Sequence, residues 1–146
     1  MSKKIAKRIV IASDHAGFEL KEFLISTLSS SHEIIDLGTN SDESVDYPDF
    51  GKKAADEVAK GDAIGIIICG SGIGISIAAN RNPKIRAALC LSTTMAQLAR
   101  QHNDANILAL GARLVGNIEA LNIVTEFLNT EFEGGRHQKR IEKLSQ

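Results

Sequence analysis

Apolar residues along this chain fall into short unbroken runs, separated by stretches in which they recur every three or four positions. The runs at Arg8 to Ser13, Glu33 to Leu37, Ala63 to Cys69, Ile85 to Leu91 and Ile107 to Leu110 are rich in Ile, Val and Ala, and predict five strands. They are continuous instead of alternating, the pattern of parallel strands covered by helices on both faces. Between them Leu20, Phe23, Leu24, Thr27 and Leu28 share a helical face, as do Ile118, Leu121, Val124 and Leu128. Pro48 suits the first turn of a helix capped by Asp46 or Tyr47 and stopped near Gly61; Ser92 or Thr93 can cap a segment through Leu98. Arg136 to Leu144 reads as a short basic helix. Strand and helix alternate throughout, so the expected fold is α/β, a three-layer α/β/α sandwich. Its centre is a five-stranded parallel Rossmann-like sheet, followed by a C-terminal helical tail.

Composition narrows this picture. A chain of 146 residues with 43% apolar and 24% charged residues suits one globular domain, 1–146, and excludes a disordered tail protein. Lys plus Arg number 17 against 18 for Asp plus Glu, so there is no overall basic field to hold nucleic acid or an anionic membrane. Ala63 to Cys69 falls far short of the roughly 18 to 20 apolar residues that span a bilayer. The basic stretch Met1 to Arg8 leads into Ile9 to Ala12, too short for a secretory core and closed by Asp14, so it reads as a strand. Two cysteines, Cys69 and Cys90, without a C-x-x-C pair, point to free thiols in a reducing cytoplasm. No H-x-x-x-H, C-x-x-C or mixed spacing occurs, so neither a metal site nor a cofactor is expected.

In open parallel sheets ligands bind beyond the carboxyl ends of the strands. The segments there are Ser13-Asp14-His15-Ala16-Gly17, Gly70-Ser71-Gly72-Ile73-Gly74, Ser92-Thr93-Thr94 and Gly111-Ala112-Arg113. In Cys69 to Ser76 a strand passes through glycines into a helix, a turn whose N–H groups can converge on an anion, though glycines there also serve tight packing alone. It is not a dinucleotide fingerprint, because Ile75 stands where the third glycine belongs, and no Gly-Lys-Ser/Thr makes it a P-loop. Cys69 at this strand end lies where the dipole and the N–H groups favour a thiolate able to act as base or nucleophile, although a cysteine in an apolar strand also reads as a small buried hydrophobe, which is the reading for Cys90. No Asp or Glu occurs from Ala63 to Asn103, whereas Arg81, Lys84, Arg86 and Arg100 do; none of the four is assigned to the site. Asp14-His15 pairs a carboxylate with an imidazole, although Asp14 serves equally well as a helix N-cap. His102-Asn103 can be catalytic or a helix terminator, with Asn tolerating the left-handed conformation. His32 reads as surface. Arg136 and Arg140 share a helix face and can grip a phosphate, or form a solvated basic tail.

Taken in order, Ser13-Asp14-His15-Ala16-Gly17, Asp46-Tyr47-Pro48-Asp49, Cys69 to Gly74, His102-Asn103, Gly111-Ala112-Arg113 and Gly134 to Arg140 resemble the B-type ribose-5-phosphate isomerases. The wider family also includes isomerases of allose 6-phosphate and galactose 6-phosphate. The resemblance implies metal-free interconversion of ribose 5-phosphate and ribulose 5-phosphate through a cis-enediolate. Cys69 would be the base between C1 and C2, and His102 with Asp14 would open the furanose ring. Tyr47 and Asn103 would contact sugar hydroxyls. Gly70, Ser71, Gly72, Gly74 and Ser76 would form the hole for the enediolate oxygen, and His15, Arg113, Arg136 and Arg140 would hold the phosphate. It also implies a site shared between two subunits, hence a homodimer or a pair of such dimers. Two rival readings are a non-catalytic nucleotide- or phosphate-binding module and a cysteine-dependent hydrolase using Cys69 and His102.

Overall fold

The computed structural model describes residues 8–145; the basic lead over residues 1–7, and residue 146, lie outside it. Five strands form one parallel sheet: β1 (Arg8–Ser13), β2 (Ile34–Asp36), β3 (Ala63–Cys69), β4 (Ala87–Leu89) and β5 (Ile107–Gly111), in the order β2-β1-β3-β5-β4. Six helices accompany them: α1 (Phe18–Leu28), α2 (Tyr47–Val58), α3 (Ile73–Ala79), α4 (Thr93–Asn103), α5 (Asn117–Asn129) and α6 (Arg136–Lys143).

Side chains along the central strands alternate between two cores. Ile64, Ile66 and Ile68 of β3 pack with α1, α4 and α5 through Leu24, Ala96, Val124 and Phe127. Ala63, Ile67 and Cys69 pack the other way, against α2 and α3 through Ala54, Val58, Ile75 and Ala79. The apolar runs are continuous because both faces of each central strand need burial. The crossovers β1 to β2 and β4 to β5 run one way along the sheet and carry α1 and α4 on one face. Those from β2 to β3 and β3 to β4 run the other way and carry α2 and α3 opposite, as crossovers of one handedness require. The three-layer sandwich is therefore the fold.

Several boundaries differ from those read in the sequence, each for a local reason. β2 and β4 shrink to Ile34–Asp36 and Ala87–Leu89 because they are edge strands with one neighbour each. At the start of β4, Arg86 N–H instead donates to the Asn106 side chain at 2.8 Å. β5 extends to Gly111, which pairs with Cys69. α4 continues past Leu98 to Asn103, with Ser92 as its N-cap accepting from Met95 N–H at 3.1 Å. It ends on Asp104 at φ 46, so the left-handed terminator is Asp104 and not Asn103. Asp46 is the N-cap of α2 without a side-chain capping bond, and α6 ends at Lys143.

Candidate active site

β1 and β3 are neighbours, yet the chain leaves β1 toward β2 and leaves β3 toward β4, on opposite sides. Their carboxyl-terminal loops diverge, which opens a crevice at this switch point. A cleft of about 730 Å³ lies there, lined by Asp14, His15, Tyr47, Cys69, Gly70, Ser71, Gly74 and Arg113 with Ala16, Ile73, Ile77 and Leu114. Its size is that of a small-molecule site.

Cys69 ends β3 and is 4% exposed. Gly72 N–H donates to its Sγ at 3.2 Å, a contact that stabilises negative charge on the sulfur. Gly72 reaches this position only with φ 80, and a Cβ there would lie 2.9 Å from the Leu110 carbonyl carbon, so glycine is required. Ser71 Oγ accepts Ile73 N–H at 3.1 Å. The N–H groups of Ser71 and Gly74 have no hydrogen-bond partner among the described residues and remain open to a ligand. Loop and β5 are tied together, since Ala112 N–H donates to Cys69 O and Arg113 N–H to Gly70 O, both at 2.9 Å. The exposed Arg113 guanidinium thereby lies along Gly70, where a Cβ would be 3.0 Å from Nη1.

Across the cleft, Asp14 is 5% exposed and its Oδ1 accepts Gly17 N–H at 3.1 Å. It lines the cleft and braces the turn ahead of α1, but the N-cap of α1 is Gly17, so Asp14 is not the helix cap. His15 Nδ1 accepts Val45 N–H at 3.2 Å. An amide can only donate, so Nδ1 carries the lone pair and the neutral ring's hydrogen is on Nε2. Tyr47 opens α2 with its ring against Gly74, where a Cβ would come within 2.6 Å of the ring.

Six residues expected at the site are not among those lining this cleft. Gly72 lies behind the lining, with its N–H on Cys69 Sγ. Ser76 is buried in α3 with its hydroxyl donating to Ile73 O at 2.7 Å, the usual back-bond of a helical serine. His102, Asn103, Arg136 and Arg140 lie instead around the end of α4 and the start of α6. There the His102 and His137 rings stack with centroids 4.5 Å apart and planes 16° apart. Glu133 Oε1 is 4.0 Å from His102 Nε2 and 3.6 Å from His137 Nε2. Burial holds the His137 imidazole below its ordinary pKa, and Arg136 adds to this. Asn103 lines a separate hollow with Asn80, Arg86 and Leu144.

His102, Glu133 and His137 form a grouping of ligand-type side chains that no sequence spacing indicated as a trio. Sequence spacing concealed it because His102 comes from a different helix, although Glu133 and His137, four apart, were a partial signal. Val45 was also missed; it acts through its backbone and so leaves no sequence mark. Arg86 and Arg100, left unassigned, have structural roles: Arg86 Nη2 donates to Asp104 O at 2.9 Å and Arg100 Nη1 to Ala105 O at 2.6 Å. His32 is bonded locally to Ser31.

Residues 9–144 match a sequence family described as Ribose/Galactose Isomerase. The chain is 48% identical over 141 residues to ribose-5-phosphate isomerase B of Escherichia coli, covering 95% of each. It superposes on the Clostridium thermocellum ribose-5-phosphate isomerase B with TM-score 0.93 and 54% identity, covering 94% of this chain and 95% of that one. The Mycoplasma genitalium ribose-5-phosphate isomerase B, solved with bound ribulose-5-phosphate, gives TM-score 0.92 at 44% identity, covering 97% of this chain and 96% of that one. With agreement over nearly the whole length in both sequence and fold, the chain belongs to the ribose/galactose isomerase family.

Proposed function

We propose that this chain is one sugar-phosphate isomerase domain that interconverts ribose 5-phosphate and ribulose 5-phosphate without a metal or cofactor. The observation that carries the reading is Cys69 Sγ at the base of the switch-point cleft, with Gly72 N–H donating to it at 3.2 Å and the Asp14-His15 turn among the lining residues. The Mycoplasma genitalium relative of the same fold is solved with bound ribulose-5-phosphate, which supports this reading. The Cys69 thiolate takes the C2 proton of the open-chain aldose, and the electron pair moves through C2–C1 onto O1. The enediolate oxygen is held by the N–H groups of Ser71 and Gly74. The thiol returns the proton to C1 while the O2 hydroxyl proton passes to O1, giving the ketose with atoms and charge balanced. Donors preorganised at such an oxygen contribute about 3 to 4 kcal/mol each. Asp14 works with His102 in opening the furanose ring; Tyr47 and Asn103 contact sugar hydroxyls. His15, as an Nε2–H donor, joins Arg113, Arg136 and Arg140 on the phosphate.

His102, Asn103, Arg136 and Arg140 are outside the cleft of their own chain, so a second copy supplies them. Exposed apolar side chains support this: Ile73, Ile77 and Leu114 on the cleft wall and Ile118 on α5 are all at least half exposed. A homodimer covers this surface and completes two sites. Among the described residues no helix is long and apolar enough to cross a membrane.

The test is isomerisation by purified, metal-stripped protein of ribose 5-phosphate, allose 6-phosphate and galactose 6-phosphate side by side. Ribose turnover well above both hexose phosphates is expected. Turnover of a hexose phosphate alone would transfer the mechanism to another sugar, and no turnover at all would overturn the enzymatic reading.

A further inference from the structure

The side chains of His102, Glu133 and His137 each offer a ligand atom, and all three atoms lie within 4.8 Å of one another. Two imidazoles and a carboxylate are a recurrent three-ligand set for zinc. A second observation points the same way. His137 is 6% exposed, and its Nε2 is enclosed without any hydrogen-bond partner, aimed toward the Glu133 carboxylate 3.6 Å away. A buried ring nitrogen without a partner is costly, and a cation is one group that would satisfy it. From these we propose that His102, Glu133 and His137 bind a divalent transition-metal ion of zinc-like softness, and that its occupancy inhibits isomerisation by taking His102 out of use. The binding claim stands on this geometry; the inhibition claim rests on the reading of His102 as a ring-opening residue.

The frame is already assembled. Glu133 N–H donates to Gln101 O at 3.0 Å, and Arg100 Nε donates to Thr130 O at 3.1 Å, which holds the 130–133 segment against the end of α4. Gly134 and Gly135, at φ 71 and 57, turn the chain so that Glu133 faces His137. With zinc–ligand distances near 2.0 to 2.2 Å, tetrahedral ligand atoms lie about 3.4 Å apart, so the set must contract. His137 is held by burial, whereas His102 and Glu133 are 39% and 48% exposed at the side chain and free to move. The stacked rings must fan apart as His102 turns its nitrogen onto the ion, which is the motion that removes it from the substrate. Arg136 and Arg140 on the same helix oppose a dication and favour an anionic fourth ligand. The site is therefore a moderate-affinity inhibitory one and not a structural one.

The test uses the whole metal-free protein, titrated with zinc chloride by calorimetry and with cobalt(II) by absorption, for wild type, Glu133→Gln and His137→Gln. Thermal melting checks that each variant is folded, and Glu133→Gln, at an exposed position, keeps the test open if His137→Gln is not. One zinc per chain is expected, with tetrahedral cobalt bands lacking thiolate charge transfer. Each variant should lose at least about 10- to 100-fold in zinc affinity, and zinc inhibition of ribose 5-phosphate turnover should weaken in parallel. Equal zinc affinity in the variants, absence of stoichiometric binding, or a thiolate band assigning the ion to Cys69 would overturn the site. Stoichiometric binding at this trio without inhibition would leave the site standing and overturn the role given to His102.

Discussion

Replacing Gly72 by alanine tests whether the loop under Cys69 is fixed by backbone constraints. Gly72 has φ 80, and a left-handed residue with a Cβ costs about 1 to 2 kcal/mol. Its added Cβ would lie 2.5 Å from Leu89 Cδ1, which can swing away, but also 2.9 and 3.0 Å from the Leu110 carbonyl carbon and oxygen, in the buried strand β5, which cannot. Such overpacking costs about 1 to 3 kcal/mol, giving a total of about 2 to 5 kcal/mol. At about 3 °C per kcal/mol for a chain of this size, Tm should fall by about 6 to 15 °C. Circular dichroism melting and urea unfolding measure it. Gly116→Ala, with no heavy atom within 4 Å of its Cβ and an ordinary φ of −80, should cost no more than about 1 kcal/mol, the penalty of alanine at the N-cap of α5. Gly61→Ala, at φ 109 with open space around it, isolates the conformational part. Gly72→Ala no more destabilising than Gly61→Ala would refute the close approach of this loop to β5.

Gly74→Ala should act differently: its Cβ would press on the half-exposed Tyr47 ring at 2.6 Å, which can move away. We expect Tm within a few degrees of wild type, about 1 kcal/mol at most, with a clear fall in kcat/KM. The double variant Arg136→Ala with Arg140→Ala should raise KM for ribose 5-phosphate more than it lowers kcat, and an unchanged KM would remove α6 from the phosphate site. Burial pushes the Cys90 thiol from 9.0 up to about 11. Between these values the unfolded chain loses this proton first, so the stability that Cys90 contributes is present below pH 9 and lost as pH rises to 11. The difference in urea stability between wild type and Cys90→Ala should therefore change by about 2 kcal/mol over that interval, and a pH-independent difference would contradict it.

The sheet was legible where the chain is fully buried. Ala63–Cys69 was read to the residue because every position of β3 faces one of two cores. The edge strands are shorter than their apolar runs: Ile85 and Cys90 are apolar because each is buried in a core, Cys90 keeps one backbone bond to Ala109 O of β5, and Leu91 is exposed. Cys69, Asp14, His15, Tyr47 and Arg113 are read correctly as neighbours because strand-end loops of a parallel sheet converge on the switch point. The orientation of Ser76 is not legible in the sequence, because helical phase on the seven-residue α3 turns its hydroxyl back onto Ile73 O. The Glu133 contact with the histidines was hidden because it depends on how the α5–α6 segment docks on α4, a long-range packing event without local pattern. The Val45 contact to His15 was hidden because a backbone amide has no residue signature.

The central claim is that Cys69 moves the proton between C1 and C2. The direct measurement is isomerisation of ribose 5-phosphate in deuterium oxide followed by NMR, comparing wild type with Cys69→Ala after melting curves show both are folded. Wild type should place solvent deuterium at C1 of ribulose 5-phosphate. Cys69→Ala should lose both turnover and deuterium incorporation by about 10²- to 10⁴-fold while still binding substrate. A Cys69→Ala protein that isomerises and exchanges at the wild-type rate would show that another group is the base.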